Sequence, residues 1–319
     1  MMSNSEILII GGSGSLGKVL TRTIMNNCSF KGIRIYSRDE YKHWIMKQEF
    51  HSIGNISYLI GDICDKERLM LAMRGVDLVV NCAAMKQVPA CEENPINAVQ
   101  TNVLGINNLV YCAVQNNVKR VMHISTDKAV YPINLYGMTK GVGEKIIIHS
   151  NTYNPERTTF ACCRYGNVLA SRGSIVPVVL KAKETGEDLK ITNKNMTRFW
   201  ITLEKVAKFI INRINDMSGG DIFVPKMPSM KIIDMMKALA PNNKIKNVGI
   251  RNGEKLHECL ITTEEQEHVQ VFDKYYRINN FYGDYSRIGM EPYTSLNNEK
   301  WINGDQLKTI LNHTKIYKI

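Results

Sequence analysis

The stretch "LIIGGSGSLGKVL", Leu8 to Leu20, places Gly11, Gly12, Gly14 and Gly17 between an apolar run and a segment whose apolar residues fall at helical spacing. Gly12-x-Gly14-x-x-Gly17 has the spacing of a dinucleotide-binding turn, and Gly11-x-x-Gly14-x-x-Gly17 is a second register with the same physics. Glycines allow a tight strand-to-helix turn and let backbone approach a pyrophosphate, whose charge meets the free N–H groups at the helix start. The alternative is a turn that merely needs positive φ, and it requires neither a strand before it nor a helix after it. Here "EILII" (6–10) precedes the turn and a helix from Ser15 or Leu16 follows, so Gly11, Gly14, Ser15, Leu16 and Gly17 are the candidate phosphate-loop residues.

The first half of the chain repeats this alternation. Apolar runs of strand length occur at "GIRIY" (32–36), "ISYLI" (56–60), "DLVVN" (77–81), "RVMHIS" (120–125) and "TFACCR" (159–164), with helix-length segments between them. Strands that are apolar throughout and separated by helices predict an α/β fold, a doubly wound parallel sheet of Rossmann type covered on both faces. One helix is expected over 94–117, with Pro95 near its start, and another over 135–150. Past residue 165 the alternation loosens into short strands such as 221–225 and 246–250, set between helices at 202–216 and 230–239. This divides the chain into residues 1–165, a dinucleotide-binding domain to which later segments return, and residues 166–319, mainly a smaller discontinuous substrate-binding lobe and a C-terminal tail.

A chain of 319 residues, 44% hydrophobic and 22% charged, can bury a sizeable core as one large domain or two joined ones. Its net charge of +11 suits an anionic partner such as a nucleotide, and equally a solvated basic surface. Basic and aromatic residues are not interleaved as in an RNA-recognition module, so no nucleic-acid partner is expected. The eight cysteines show no Cys-x-x-Cys spacing, and His257 and Cys259 have no further ligands in register, so no metal site is expected. "EILII" runs into glycines rather than a cleavage site, and no apolar run approaches the roughly 20 residues that span a bilayer. The expectation is a cytoplasmic protein with reduced cysteines and no membrane contact.

Two further stretches carry chemistry. The second strand should end near Tyr36, about 20 residues past the glycine loop, where NAD enzymes place an acid for the ribose 2′-hydroxyl. "YSRDE" (36–40) brings Ser37 and Arg38 first. Arg38 can pair with a 2′-phosphate in fork geometry, so NADP is the expected cofactor, with Asp39 the adjacent acid that would favour NAD. In "GDICD" (61–65), Asp62 and Ile63 are candidates for the adenine, and Asp62 could instead cap the next helix. The other stretch is "STDKAVYPINLYGMTK" (125–140), in which Tyr136 and Lys140 stand one helical turn apart. A lysine ammonium and a cationic nicotinamide lower the phenol's pKa, so Tyr136 could take a proton from an alcohol as hydride leaves its carbon. Thr126 would hold the substrate hydroxyl and Lys140 a ribose hydroxyl. Asp127 and Lys128 stand beside this unit, and hydride transfer alone leaves them unexplained.

The segments "GGSGSLGK", "IYSRDE", "NCAAMKQVP", "STDKA", "PINLYGMTK", "RYGNVLASRGSIVP", "MTRFWITL", "GGDIFVPKMPSMKI" and "GIRNGEKLHE" follow one another from residue 11 to about residue 260. Through them the chain resembles the extended short-chain dehydrogenases/reductases, and within these the inverting UDP-N-acetylglucosamine 4,6-dehydratases of bacterial pseudaminic acid and capsule pathways. The resemblance implies a hydro-lyase that oxidises sugar C4, removes the C5 proton, expels the C6 hydroxyl as water and returns hydride to C6. Its product would be UDP-2-acetamido-2,6-dideoxy-β-L-arabino-hex-4-ulose. Lys128 would be the C5 base and Asp127 the acid toward the departing water, where retaining relatives carry Asp-Glu. A basic Lys128 requires its pKa to fall through burial or nearby cations.

By matching motif, the resemblance also implies that Ala83 and Lys86 contact the cofactor, with Lys86 reaching the substrate as well. Asn167, Val168, Ser171 and Arg172 would touch the sugar and diphosphate, Thr197 and Arg198 would lie at the pocket mouth, and Arg251 and Glu254 would hold the nucleotide. The implied partners are UDP-N-acetylglucosamine and further copies of the chain, a homo-oligomer (dimer or higher) paired through helices such as 94–117 and 135–150. Two positions depart from the pattern: Gln87 stands where His is frequent, and Tyr131 where Asn is usual. A retaining dehydratase or a nucleotide-sugar C4 epimerase would use the same fold. An NADP-sensing Rossmann protein would keep the glycine loop without needing Thr126, Tyr136 and Lys140.

Overall fold

The computed structural model describes residues 4–51, 55–169, 173–279 and 291–314. Strands β1 (Glu6–Ile10), β2 (Gly32–Ser37), β3 (Ile56–Ile60), β4 (Leu78–Asn81), β5 (Arg120–Ile124) and β6 (Thr159–Cys163) belong to one nine-stranded sheet. Its order is β3-β2-β1-β4-β5-β6, continued by Asp221–Pro225, Tyr275–Asn279 and Val269–Val271. The strands from β3 to Asp221–Pro225 run parallel, and the last two close the edge antiparallel. This is the doubly wound fold that the sequence pattern predicts. The order reverses between β1 and β4, and in such a sheet the crevice for a ligand opens there, outside the carboxyl ends of the strands. Ile7, Leu8, Ile9 and Ile10 of β1 are all buried, as a strand covered by helices on both faces requires.

A second apolar cluster, including Val179, Ile191, Trp200, Met235, Leu239 and Leu311, forms the core of the smaller lobe. Two short sheet pieces support it, Leu189–Ile191 with Ile245–Asn247 and Thr197–Ile201 with Ser229–Lys231. The strand expected at 246–250 thus starts at Ile245 and ends at Asn247. Asp221–Pro225 lies outside this lobe, in the large sheet beside β6, because all five of its residues are buried and it reads as an interior strand. The helix expected over 94–117 is divided into Pro95–Val99, a π-helical turn Gln100–Leu104, and Gly105–Gln115. The wider turn carries Asn102 inward, where Oδ1 accepts from the Met85 N–H at 2.9 Å and Nδ2 donates to the Met85 carbonyl at 2.9 Å and to Thr139 Oγ1 at 3.1 Å. That clamp fixes the backbone just before Lys86. Among the described residues no helix is long and apolar enough to cross a membrane.

Candidate active site

At the end of β1 the chain turns with Gly11 at φ +72°, and a Cβ there would stand 2.8 Å from the Ala83 nitrogen. Only glycine lets the loop lie against the end of β4. Gly14 is the N-cap of helix α1 (Ser15–Asn27), with no side-chain cap and no acid in the first turn. The N–H groups of Ser15, Leu16 and Gly17 therefore face outward with positive helix-end potential. In front of them lies a cavity of about 560 Å³. Its wall joins Gly11, Gly14, Ser15, Leu16, Gly17, Ser37, Arg38, Asp62, Ile63, Ala83 and Lys86 to Thr126, Lys128, Tyr136, Asn167 and Val168.

At one end, Ser37 Oγ donates to Ser13 Oγ at 2.7 Å and meets His43 Nε2 at 2.5 Å. Arg38 Nη1 stands 3.5 Å from Asp62 Oδ2, a long contact for a side chain that is 73% exposed. Asp39 accepts from the Lys42 N–H at 3.0 Å and pairs with the Lys42 ammonium, and these bonds hold its carboxyl below the usual range. It is thereby engaged as the cap of helix Glu40–Glu49. The capping alternative for Asp62 is overturned: Asp65 caps Lys66–Ala72 by accepting from Arg68 N at 2.9 Å, while Asp62 Oδ1 accepts from Cys64 N. Burial lowers the Lys86 pKa.

At the other end, Thr126 opens a 3₁₀ turn, Asp127–Ala129, after β5. Helix Leu135–His149 packs on that turn because Gly137 has no Cβ to strike the Lys128 carbonyl oxygen. Asn134 caps this helix by accepting from Gly137 N at 2.8 Å and donates to the Gly253 carbonyl at 2.8 Å. Tyr136 is thus held beside Thr126 and Lys128. Burial pushes the Tyr136 phenol up to about 12, opposed by the Lys128 charge and a hydrogen bond with Thr126. Lys140 is buried behind the cavity, where Nζ bonds the Ile124 carbonyl at 2.5 Å and burial lowers its pKa to about 8.

Lys128 Nζ lies 3.0 Å from Asp127 Oδ1, 3.5 Å from Glu258 Oε1 and 3.5 Å from Asn167 Oδ1. The expectation of a depressed lysine pKa is reversed here. Burial pulls it down, but the Asp127 and Glu258 carboxylates together push it above the ordinary lysine range. The two acids divide in the opposite sense. Burial raises Asp127 despite Lys128, whereas at Glu258 the cations Lys128, Arg198 and Lys255 outweigh burial and hold the carboxyl low. Glu258 is a site residue that sequence reasoning passed over. Its signal was an acid inside the apolar run "HECLI", since a buried carboxylate requires a cationic partner.

Several expected contacts lie elsewhere. Thr197 is fully buried, with Oγ1 between His257 Nδ1 at 2.8 Å and Ser295 Oγ at 2.7 Å, and it is not among the described residues at the cavity wall. The pocket-mouth position is corrected accordingly: Thr197–Ile201 is an interior strand, buried at every residue. Arg198 donates to the carbonyls of Thr197, Leu256 and Lys255 at 2.7, 3.1 and 2.9 Å, so it braces the 255–258 loop. Arg251 and Glu254 sit on the turn before that loop, off the described cavity wall, with Glu254 4.0 Å from Arg198. Ser171 and Arg172 lie outside the described residues. Of the two departures, Gln87 lines the cavity, while Tyr131 sits on the outside at φ +44° with its hydroxyl donating to Glu264 at 2.6 Å.

The family described as polysaccharide biosynthesis protein matches residues 7–280. Among curated proteins, the chain is 42% identical to a UDP-N-acetylglucosamine 4,6-dehydratase (inverting) of Campylobacter jejuni subsp. jejuni serotype O:23/36 (strain 81-176), over 99% of each chain. It is 39% identical to a UDP-glucose 4-epimerase of Rickettsia bellii (strain RML369-C), over 98% of this chain and 96% of the relative. Among solved structures, Pen from Bacillus thuringiensis superposes with a TM-score of 0.92 at 31% identity, covering 100% of this chain and 99% of Pen. DesIV, a dTDP-glucose 4,6-dehydratase from Streptomyces venezuelae, shares the fold with a TM-score of 0.72 at 18% identity, covering 78% of this chain and 86% of DesIV.

Proposed function

We propose, from the premise that this chain belongs to the polysaccharide biosynthesis protein family, that it is a C5-inverting UDP-N-acetylglucosamine 4,6-dehydratase that uses NADP. The observation that carries this reading is that two distinct proton-handling sets meet at one cavity: Tyr136 with Thr126, and Lys128, which fully buried Asp127 bonds from behind the cavity wall. An epimerase, the activity named for the Rickettsia relative, needs the first set and leaves the second unused.

The residues present fit a phosphorylated dinucleotide. The open N–H groups of α1 and the cradle beside Gly11 suit a pyrophosphate, and Ser37 and Arg38 line the cavity at the end of β2 and would hold a 2′-phosphate, while Asp39 is neutralised by Lys42. A bound NADP would supply the hydride acceptor for sugar C4 and, once reduced, the hydride donor for C6, so that no net redox occurs. Tyr136 removes the C4 hydroxyl proton while Thr126 holds that oxygen. The C4 ketone acidifies C5, Lys128 takes the C5 proton, and Asp127 protonates the C6 oxygen as it leaves as water; once hydride has returned to C6, the enolate takes a proton of solvent origin on the opposite face of C5, which completes the inversion.

Lys128 must be an amine for this step. Transfer of one proton across 3.0 Å from Lys128 Nζ to Asp127 Oδ1 turns the ion pair into a neutral base beside a neutral acid, with no change in net charge. Burial works toward the exchange, because it penalises both ions and already raises Asp127, and it works against the two carboxylates that hold Lys128 above the ordinary lysine range. Glu258 keeps its charge and anchors Lys128 from the other side.

The test is proton NMR of UDP-N-acetylglucosamine incubated with the chain and NADP in D₂O. A new C6 methyl, deuterium at C5 and an L-configured C5 are expected. UDP-N-acetylgalactosamine as sole product would establish the epimerase reading instead, and a D-configured C5 the retaining one. Self-association is part of the proposal: Ile96, Leu104, Met138 and Val142 are 67, 54, 48 and 48% exposed on the helices that the resemblance assigns to pairing. Sedimentation velocity showing a monomer at micromolar concentration would remove it.

A further inference from the structure

The end of the cavity that would meet the cofactor's 2′-position is backed by a histidine that does not itself reach it. His43 is 3% exposed, on helix Glu40–Glu49, and is not among the described residues at the cavity wall. Its Nε2 stands 2.5 Å from Ser37 Oγ at the end of β2, and Ser37 Oγ stands 2.7 Å from Ser13 Oγ on the glycine loop. Ser13 and Ser37 both line the cavity. A short hydrogen-bonded chain therefore runs from the buried face of the helix, through the strand end, to the glycine loop.

Counting hydrogens orients this chain. Burial, and after it the Lys47 ammonium, lower the His43 pKa against the opposing pull of Asp39, so at neutral pH the ring is uncharged and has a single N–H. His43 Nδ1 is buried and has no hydrogen-bond partner among the described residues. A hydrogen placed there would be a buried, unmatched donor; placed on Nε2 it has Ser37 Oγ as its acceptor. Ser37 then accepts from behind and has its own hydrogen to give forward, to Ser13 or to a group in the cavity. An imidazolium would donate from Nε2 as well, so this direction does not depend on the charge of the ring. Nothing else around the ring competes for it. Tyr58 of β3 packs on it with ring centroids 5.9 Å apart, Lys47 lies over the Tyr58 ring, and Asp39 is engaged by Lys42.

We propose that His43 is a positioning residue for cofactor selection: by donating to Ser37 from behind, it fixes the Ser37 hydroxyl as a donor toward the cavity and so favours a dinucleotide that carries a phosphate on its 2′-oxygen. A phosphate monoester is anionic at neutral pH and presents acceptor oxygens, so it gains from a fixed donor as a charged partner does. A ribose 2′-hydroxyl can accept the same hydrogen, but it is uncharged and gains less. Without the His43 N–H, Ser37 can turn its hydrogen back toward the helix and set a lone pair against the phosphate. The selective effect rests on the assignment of Ser37 and Arg38 to the 2′-phosphate made above, while the direction of the His43–Ser37 bond does not.

Fluorescence titrations of the full chain with NADPH and with NADH read the selection. His43→Leu removes the donor and keeps a side chain of similar size; NADPH should bind about tenfold more weakly, near the lower end for a hydrogen bond to a charged group, while NADH changes by less than about threefold. His43→Gln carries an amide N–H at the same reach as Nε2 and should keep the NADPH affinity, whereas His43→Asn, whose amide ends one bond short, should behave as His43→Leu. A purely structural role would move both cofactors together in all three variants. An unaltered NADPH preference in His43→Leu overturns this proposal and leaves the NADP reading standing, while a natural chain that binds NADH as tightly as NADPH removes both. Long-range proton–nitrogen spectra of the full chain labelled with ¹⁵N-histidine, the His43 signal being assigned by its loss in His43→Gln, decide the bond direction without cofactor. Protonated Nε2 is expected, and a proton on Nδ1 with Nε2 bare overturns the proposal even where a variant fails to fold.

Discussion

Replacing Lys128 with methionine should separate the two halves of the reaction. The substitution keeps the volume and removes the cation that stands 3.0 Å from Asp127 and 3.5 Å from Glu258, acids that are 0 and 3% exposed. Glu258 keeps Arg198 and Lys255 at 3.7 Å, but leaving the buried Asp127 carboxylate without its cation costs about 3–5 kcal/mol. The lower end is expected, about 3 kcal/mol, because the Lys128 side chain is 23% exposed to the cavity and Asp127, already raised by burial, can take up a proton instead. Loss of a positioned general base slows its step by roughly 10²–10⁴-fold, equivalent to about 3–5 kcal/mol in the barrier. C4 oxidation depends on Tyr136 and survives. Mixing Lys128→Met with UDP-N-acetylglucosamine and NADP should therefore produce a burst of reduced-cofactor absorbance, followed by little C6 methyl signal in the NMR spectrum. Denaturant unfolding reads the stability loss separately. Unaltered turnover with an inverted C5 would take Lys128 out of the chemistry and refute the proton-exchange argument.

Arg38→Ala should weaken NADP binding by about 1.5–3 kcal/mol, the loss of a charged hydrogen bond, while leaving NAD nearly unchanged; parallel fluorescence titrations with the two reduced cofactors check it, and equal losses for both would contradict the 2′-phosphate assignment. Lys140 has a folded pKa of about 8 against an ordinary 10.5, so between those values the unfolded chain binds more protons and stability rises with pH. Below that window both states are charged and the full cost of about 3 kcal/mol is present, so Lys140→Met should be inactive yet lose its stability advantage over the natural chain as pH climbs, as urea midpoints across the window would show. Gly11→Ala places a Cβ 2.8 Å from the Ala83 nitrogen at a φ of +72°, and should cost about 1–3 kcal/mol of stability together with cofactor affinity, read by thermal melts with and without NADP. Arg164→Leu strands Glu144 and Glu265, which Arg164 bonds at 2.7 and 3.0 Å, and should lower stability by about 3–5 kcal/mol in denaturant unfolding.

The fold was legible because local signals agree over long stretches. Uniformly apolar strands between helical segments, with glycines at the first turn, admit few arrangements other than a doubly wound sheet, and the observed strands of the first half fall within a residue of the expected runs. Asp221–Pro225 was legible as a strand but not as a member of the large sheet, since strand pairing across more than fifty residues leaves no local mark. The π turn at Gln100–Leu104 was likewise hidden, because its cause is the clamp of Asn102 on Met85 rather than any residue preference.

At the site, the sequence by itself determined which residues could do chemistry: the glycine loop, Arg38, Tyr136 one turn before Lys140, and Lys128 beside Asp127. Spacing along one helix or one turn is a local property, and those groups need no distant partner to be recognised. Only the tertiary structure decided their charge states. Lys128 is driven up rather than down because Glu258, far along the chain, arrives 3.5 Å away and adds to the neighbouring Asp127, and Lys140 meets His123 of the strand beside it, which Asn81 of the next strand bonds in turn. A buried group's protonation is set by the few charges and hydrogen bonds within reach, and which ones those are is settled when the sheet assembles.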